Sequence, residues 1–313
     1  MGKAGKSVSM GKDSVRIRSY AKINLSLNIS GTRHGRHLLD TVIVPVGLHD
    51  TITARKRKDG LVGVYMRGQG AEEIPPEQNN AVRAGEAFVR AFGTNGADIE
   101  IAKNIPQGAG LGGSSADAAG VLRAMEKLYG PADKTLLNAL AASLGGDTPA
   151  MYWGGCARVS GTGEVVEAFS SPLVLHVLLA VPERGTSTAE CYAKYDEFPD
   201  GLRADSARLC TALKRGEYAG VAKNVYNALE RPACLLNEGT ARALECLRAL
   251  SPDACAVTGS GSAVFALFET PELCSWAKDR LKREKKLRTY VLQANAEAER
   301  RKFVLTANSP YRL

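Results

Sequence analysis

The sequence predicts a mixed α+β protein in two halves. Three features predict it: a strictly alternating stretch near the start, a glycine-rich run set between a second alternating segment and a helix-forming one, and a second half richer in helix-forming segments with short apolar runs between them. No repeat or low-complexity tract breaks that pattern.

Taken in order, Val15 to Ile29 alternates residue by residue, which predicts a long strand with one buried side and Lys22 and Asn24 on the same face. Gly31 to Gly35 reads as a loop and Thr41 to Val46 as a second strand, and Thr51–Ala54 and Leu61–Met66 read as short strands around an Asp59–Gly60 turn. Asn80–Phe92 is a helix. Ala97, Ile99 and Ile101 mark a half-buried strand, and the helix over Ala116–Leu128 stops at Gly130–Pro131. Lys134–Leu144 is helical up to Gly145–Gly146, and Ala157–Val166 is a strand and turn. Leu173–Pro182 is a buried strand, with a domain boundary just before it. The expected division is a basic, disordered tail over 1–14, one domain over 15–171 and another over 172–313. Beyond it, helices are expected over Ala189–Tyr195, Arg203–Lys214, Tyr218–Leu229, Glu238–Leu250 and Glu272–Lys285. Strands are expected over Ala254–Val257, Val264–Phe268 and Tyr290–Gln293, the first two joined by the loop Thr258–Ser262.

Composition narrows the function classes. A 44% hydrophobic content supports a real core, and no apolar run reaches the ~18 residues of a membrane span. The basic, polar first residues lack the apolar segment of a signal peptide. Seven scattered cysteines without C-x-x-C point to reduced thiols and a cytoplasmic location. His34 and His37, without a second ligand pair, make a poor zinc signal. The net charge of +8 is concentrated in residues 1–18 and 278–288. It suits a phosphorylated small-molecule substrate, and the second cluster reads as a solvated helix face, not a nucleic-acid site. The expected state is a monomer or weak homodimer.

The run Lys103–Ala119, KNIPQGAGLGGSSADAA, carries the chemistry. Its glycines permit unusual backbone angles and let a ligand approach the main chain, and Ser114 or Ser115 can cap the following helix. Free N–H groups and the positive end of the helix dipole then attract an anion, most simply phosphate. Gly108, Gly110 and Gly113 also spell G-x-G-x-x-G, but no early βαβ unit accompanies them. No Gly-Lys-Ser/Thr follows, as a Walker loop requires, and Gly112–Ala116 lacks the final glycine of G-x-S-x-G. Asp147, between glycines and a proline, is by itself a turn or cap residue, and Lys22 by itself a solvated lysine.

The whole string P-x-G-x-G-L-G-G-S-S-A resembles the phosphate loop of the GHMP kinases. Within that superfamily the chain most resembles the 4-diphosphocytidyl-2-C-methyl-D-erythritol kinases of the non-mevalonate isoprenoid pathway, over nearly all its length after the basic tail. Ala21–Asn24 looks like their opening motif, and Gly35–His37 with Thr41 and Asp50 like the next. Leu144–Pro149, Gly161–Glu164, Ser187–Glu190 with Tyr192, Asn227–Glu230 and Thr258–Ser262 look like later motifs, in the same order. The resemblance implies a two-domain GHMP-kinase-like fold: an N-terminal mixed-sheet domain with the phosphate loop and a C-terminal α/β sandwich.

It further implies ATP-dependent phosphorylation of a small-molecule alcohol, with Asp147 taking the hydroxyl proton and Lys22 orienting that hydroxyl. ATP would lie against Asn80, Lys103, Pro106, Gly108, Ala109, Gly110, Leu111, Gly112, Gly113, Ser114 and Ser115, with Mg2+ held mainly by its phosphates. The acceptor would meet Asn24, Arg36, His37, Thr188, Tyr192, Gly259 and Ser260, Tyr192 stacking on the cytosine. One departure stands out: Arg36 replaces a usual tyrosine that stacks on the other face of the base. Arg36 is therefore expected to face the pocket, either as a flat wall or as an anion grip, the latter implying a different acceptor. A non-catalytic ligand- or RNA-binding protein on the same scaffold is the alternative of another class.

Overall fold

The computed structural model describes residues 13–68, 79–199, 204–284 and 286–295. The expected tail over 1–14 lies outside them except for Asp13 and Ser14. Two long strands form the spine. β1 (Ser14–Arg33) and β2 (Arg36–Lys56) are antiparallel and turn over at His34–Gly35, both with positive φ (50° and 72°). A two-residue hairpin with that geometry matches strand twist, so the expected five-residue loop is instead strand almost to its tip. Along its other edge β2 pairs in succession with β5 (Cys156–Gly161), with Ala294 of β11 (Leu287–Ala294) and with β4 (Ala97–Lys103).

The Asp59–Gly60 hairpin does not form. β3 (Gly63–Gly68) pairs in parallel with β4, which lies between it and β2. Thr51–Ala54 is part of β2, not a separate strand. β6 (Val165–Phe169) forms a hairpin with β5. In the second half β7 (Leu175–Pro182) lies between β11 and β10 (Val264–Phe268), and β9 (Ala254–Val257) closes the edge. Two strand pairings cross the expected boundary at 171/172: Ala294 opposite Val46, and β8 (Tyr226–Asn227) beside Ser26–Leu27 of β1.

Helices α1 (Asn80–Phe92) and α2 (Gly113–Tyr129) pack over the first sheet, and α3 (Lys134–Leu144) packs against those two helices and the short α4 (Thr148–Trp153), which had no sequence signal. The caps explain the ends. Asn79 accepts from Ala81 N at 2.9 Å, Asp133 from Leu136 N at 2.8 Å, and Gly93 closes α1 in the left-handed region. The alanine-rich start of α2 lets it lie close to the strands. A Cβ on Gly120 would sit 2.1 Å from Ile52 Cδ1, and the Ser19 hydroxyl donates to the carbonyl of Ala116.

The second half carries α5 (Thr188–Glu197), α6 (Ser206–Arg215), α7 (Tyr218–Lys223), α8 (Glu230–Leu236), α9 (Glu238–Arg248) and α10 (Pro271–Arg280). The helix expected over 218–229 breaks at Asn224. Asn227 instead donates to the carbonyls of Val257 (2.7 Å) and Gly259 (2.8 Å) and accepts from Leu229 N. The helix expected to reach Lys285 ends at Arg280, followed by a 3-10 turn at Leu281–Arg283. The largest correction concerns β1. The later part of its polar face is buried too: Lys22, Asn24, Ser26 and Asn28 are all 5% exposed or less, because the second half of the chain covers them. Ser26 and Asn28 bond to Ser206, and Asn24 N donates to Thr258 Oγ1 at 3.0 Å.

Candidate active site

The covered polar face of β1 opens into a cavity of about 430 Å³ between the two halves. The glycine loop is threaded through its floor. Lys22 N donates to Leu111 O (3.1 Å), Thr186 N and Ser262 N both donate to Gly108 O (2.9 and 3.0 Å), and Ala263 N donates to Ala109 O (3.2 Å). Gly108 and Gly110 were expected to clear space for a ligand. They clear it for backbone instead: a Cβ would lie 2.9 Å from Gly185 Cα at Gly108 and 2.0 Å from Thr258 O at Gly110. Gly112, at φ 73°, is itself the N-cap of α2, and no side chain caps the helix; Ser114 and Ser115 stand in its first turn. Ser114 Oγ accepts from Asn80 Nδ2 at 2.9 Å, tying the starts of α1 and α2 together. The uncapped N-terminus of a 17-residue helix thus faces the cavity.

Lys22 and Asp147 meet across this space, Nζ to Oδ2, at 3.4 Å. The Lys22 side chain is 5% exposed and is steadied by Asn24 Oδ1 (2.6 Å) and Gly110 O (2.9 Å). Asp147 precedes α4 without capping it, so its carboxylate, 32% exposed, stays turned to the cavity. Asn24 is itself held, donating to Thr41 Oγ1 at 2.8 Å. On the far wall Thr188 and Ser260 share a hydroxyl contact of 3.0 Å. Burial, and secondarily the Asp147 carboxylate, push the Tyr192 phenol above its ordinary value.

Of the expected site residues, all but two line the cavity: Lys22, Asn24, Asn80, Lys103, Pro106, the loop from Gly108 to Ser115, Asp147, Thr188, Tyr192, Gly259 and Ser260. His37 reaches it through Tyr192, on which it stacks at 4.6 Å and 27°, and its Nε2 meets Asp196 Oδ1 at 2.8 Å. Arg36 is not brought there. It is exposed at the start of β2, beside the hairpin turn and off the lining, because the tight turn carries the strand's first residue beyond the covered region.

Lys103 does line the cavity, but it is committed elsewhere. Its Nζ lies 2.5 Å from both Asp50 Oδ2 and Asp117 Oδ2, with side-chain exposures of 3%, 0% and 5%. Burial alone would lower the Lys103 pKa, and the two carboxylates outweigh it and raise it. Asp50 Oδ1 also accepts from Asn104 N (2.5 Å) and Ile105 N (2.9 Å). Burial foremost pushes Asp117 up to about 7; the Lys103 cation opposes the rise and the Asp50 carboxylate adds to it. Asp117 was not anticipated. Its signal was present: an acid in the alanine-rich first turns of a helix, directly after a glycine loop. Leu27, also on the lining, carried no signal beyond strand alternation, and Leu39 carried none.

Residues 79–155 match the GHMP kinases N terminal domain, and residues 210–286 match GHMP kinases C terminal. The chain is 35% identical over 272 residues, 83% of its length and 89% of the relative's, to a 4-diphosphocytidyl-2-C-methyl-D-erythritol kinase of Desulfitobacterium hafniense. It is 34% identical to one of Symbiobacterium thermophilum, covering 82% and 92% of the two chains. A crystal structure of 4-(cytidine 5'-diphospho)-2C-methyl-D-erythritol kinase superposes with a TM-score of 0.73 at 31% identity, over 90% of this chain and 99% of that one. A homoserine kinase from Cytophaga hutchinsonii shares the fold alone, at 16% identity and a TM-score of 0.69 over 94% and 97% of the chains.

Proposed function

The chain belongs to the GHMP kinases, and from that premise we propose that it transfers the γ-phosphoryl group of ATP to 4-diphosphocytidyl-2-C-methyl-D-erythritol, giving the 2-phosphate in non-mevalonate isoprenoid synthesis. The observation that carries the reading is the Lys22–Asp147 pair, 3.4 Å apart in a cavity floored by an uncapped helix N-terminus. The triphosphate lies along Gly108–Ser115, its negative charge met by backbone N–H groups and the α2 dipole. The acceptor hydroxyl approaches Asp147, which takes its proton as the oxygen bonds to the γ-phosphorus and the bond to the β-phosphate oxygen breaks. Lys22, fixed by Asn24 and Gly110, orients that hydroxyl and balances charge at the reacting phosphoryl group.

Among the described residues no group of three or more His, Cys, Asp or Glu side chains is disposed to hold a metal. Mg2+ would enter with the nucleotide, where it would neutralise phosphate charge. Tyr192, with His37 on one face, offers a flat apolar surface for the acceptor's base. The idea of a different acceptor rested on Arg36. Its exposure outside the cavity removes that footing and leaves the cytidyl diphosphate as the favoured substrate. The seven free thiols, four of them buried, suit the cytoplasm.

The test is a phosphotransfer screen with ATP, magnesium and candidate alcohols. ADP and a singly phosphorylated cytidyl product should form together. Transfer to another alcohol with none to the cytidyl compound would replace the substrate assignment, and transfer to no alcohol would overturn the kinase reading.

A further inference from the structure

We propose that Asp50, Lys103 and Asp117 form a buried clamp at the two ends of the phosphate loop that holds one shared proton, so that it presents no net charge to the nucleotide. The inference rests on the loop being the nucleotide site. The geometry of a clamp is direct. Asp50 of β2 takes the Asn104 and Ile105 N–H groups where the chain leaves β4, and Lys103 bonds both Asp50 and Asp117, the latter inside α2 where the chain has left the loop. The two ends of the glycine run are thus fastened to one ammonium group.

The need for a proton follows from charge. The charged residues lining the cavity are Lys22, Lys103, Asp117 and Asp147, and Asp50 stands directly behind Lys103. Two cations against three carboxylates leave one negative charge facing a triphosphate. Asp117 Oδ1 is buried without a hydrogen-bond partner, which an ionised carboxylate oxygen would tolerate poorly. A proton held between Asp117 and the Asp50 carboxylate that faces it removes the excess charge. It makes Asp117 neutral and lets the clamp balance Lys103 against Asp50 alone. The groups facing Asp117 are Lys103 from β4 and Asp50 from β2, with Lys22 of β1 and Asp147 ahead of α4 across the cavity. Burial pushes Asp117 up to about 7 in spite of Lys103, the direction the clamp requires.

Arriving phosphates add negative charge beside Asp117 and must draw the rest of the proton in. Binding of a non-hydrolysable ATP analogue with magnesium, measured calorimetrically in buffers of different ionisation enthalpy, reads this directly. The wild type should take up more protons than Asp117→Asn at pH 7, and the difference should grow at pH 8. Asn keeps an acceptor for Lys103 and mimics the neutral acid, so comparing the two proteins isolates the proton. Equal proton counts in the two proteins would overturn the clamp while leaving the nucleotide site standing; absence of analogue binding to the wild type would overturn that site. If Asp117→Asn fails to fold, infrared spectroscopy of the wild type serves. A buried carboxylic-acid C=O band at neutral pH that disappears by about pH 9 supports the shared proton, and its absence refutes it.

Discussion

Replacing Gly110 by alanine tests the threading of the loop, and the structure sets its magnitude. Gly110 has φ 71°, in the left-handed region, where a Cβ costs about 1–2 kcal/mol. That Cβ would also stand 2.0 Å from Thr258 O and 3.0 Å from Gly261 O, both backbone atoms that cannot rotate away. Overpacking of this kind costs about 1–3 kcal/mol, so the substitution should destabilise by about 2–5 kcal/mol in all. Gly93→Ala isolates the first part, because Gly93 has φ 61° and nothing within 4 Å of the added carbon. Urea unfolding of both variants should place Gly110→Ala below Gly93→Ala by about 1–3 kcal/mol. Equal losses would mean that the loop does not cross the 258–262 segment this closely, and the account of the cavity floor would fail.

Other substitutions separate the parts of the site. Gly112→Val should weaken ATP at least tenfold in a folded protein, because its Cβ would crowd Met151 Sδ at 3.1 Å and Lys22 Cε at 3.2 Å at the helix cap; unchanged affinity by calorimetry would contradict this. Lys22→Met keeps the stem and removes the charged donors. At about 1.5–3 kcal/mol for a charged hydrogen bond, kcat should fall roughly 10- to 150-fold, and a steady-state kcat near that of the wild type would remove Lys22 from the reaction. His37→Ala uncovers one face of Tyr192 and should raise the acceptor KM roughly two- to tenfold while leaving the ATP KM unchanged. A rise in the ATP KM instead would place His37 on the nucleotide side.

Local signals were legible where local chemistry decides. α1 and α3 run over the expected residues because Asn79, Gly93 and Asp133 cap them, and α2 stops at Gly130 as expected. The glycine loop was legible from its own residues, whereas Lys22 and Asp147, by themselves a solvated lysine and a turn acid, entered only through the family resemblance; all of them line one cavity. What was hidden depends on distant chain. Nothing near Lys22 says that residues 204–206 and 258 will cover its face of β1, since alternation reports one buried side and is silent about a second. The Asp59–Gly60 turn looks like a hairpin until β4, far along the chain, takes the place beside β2. Arg36 was assigned by position in a motif, and a tight turn two residues earlier decided its exposure. Lys103 was assigned to the nucleotide by the same route, and only the fold reveals Asp50 and Asp117 against it.

The central claim is that Asp147 takes the acceptor's proton beside an ATP held on the glycine loop. Single-turnover phosphotransfer by Asp147→Asn, with ATP affinity measured on the same protein, tests it most directly. Asn is nearly isosteric but cannot accept the proton as a carboxylate does, so the rate should fall by ~10² to 10⁴ with nucleotide binding within about twofold. A variant that binds ATP and keeps more than about a tenth of the wild-type rate would contradict the claim.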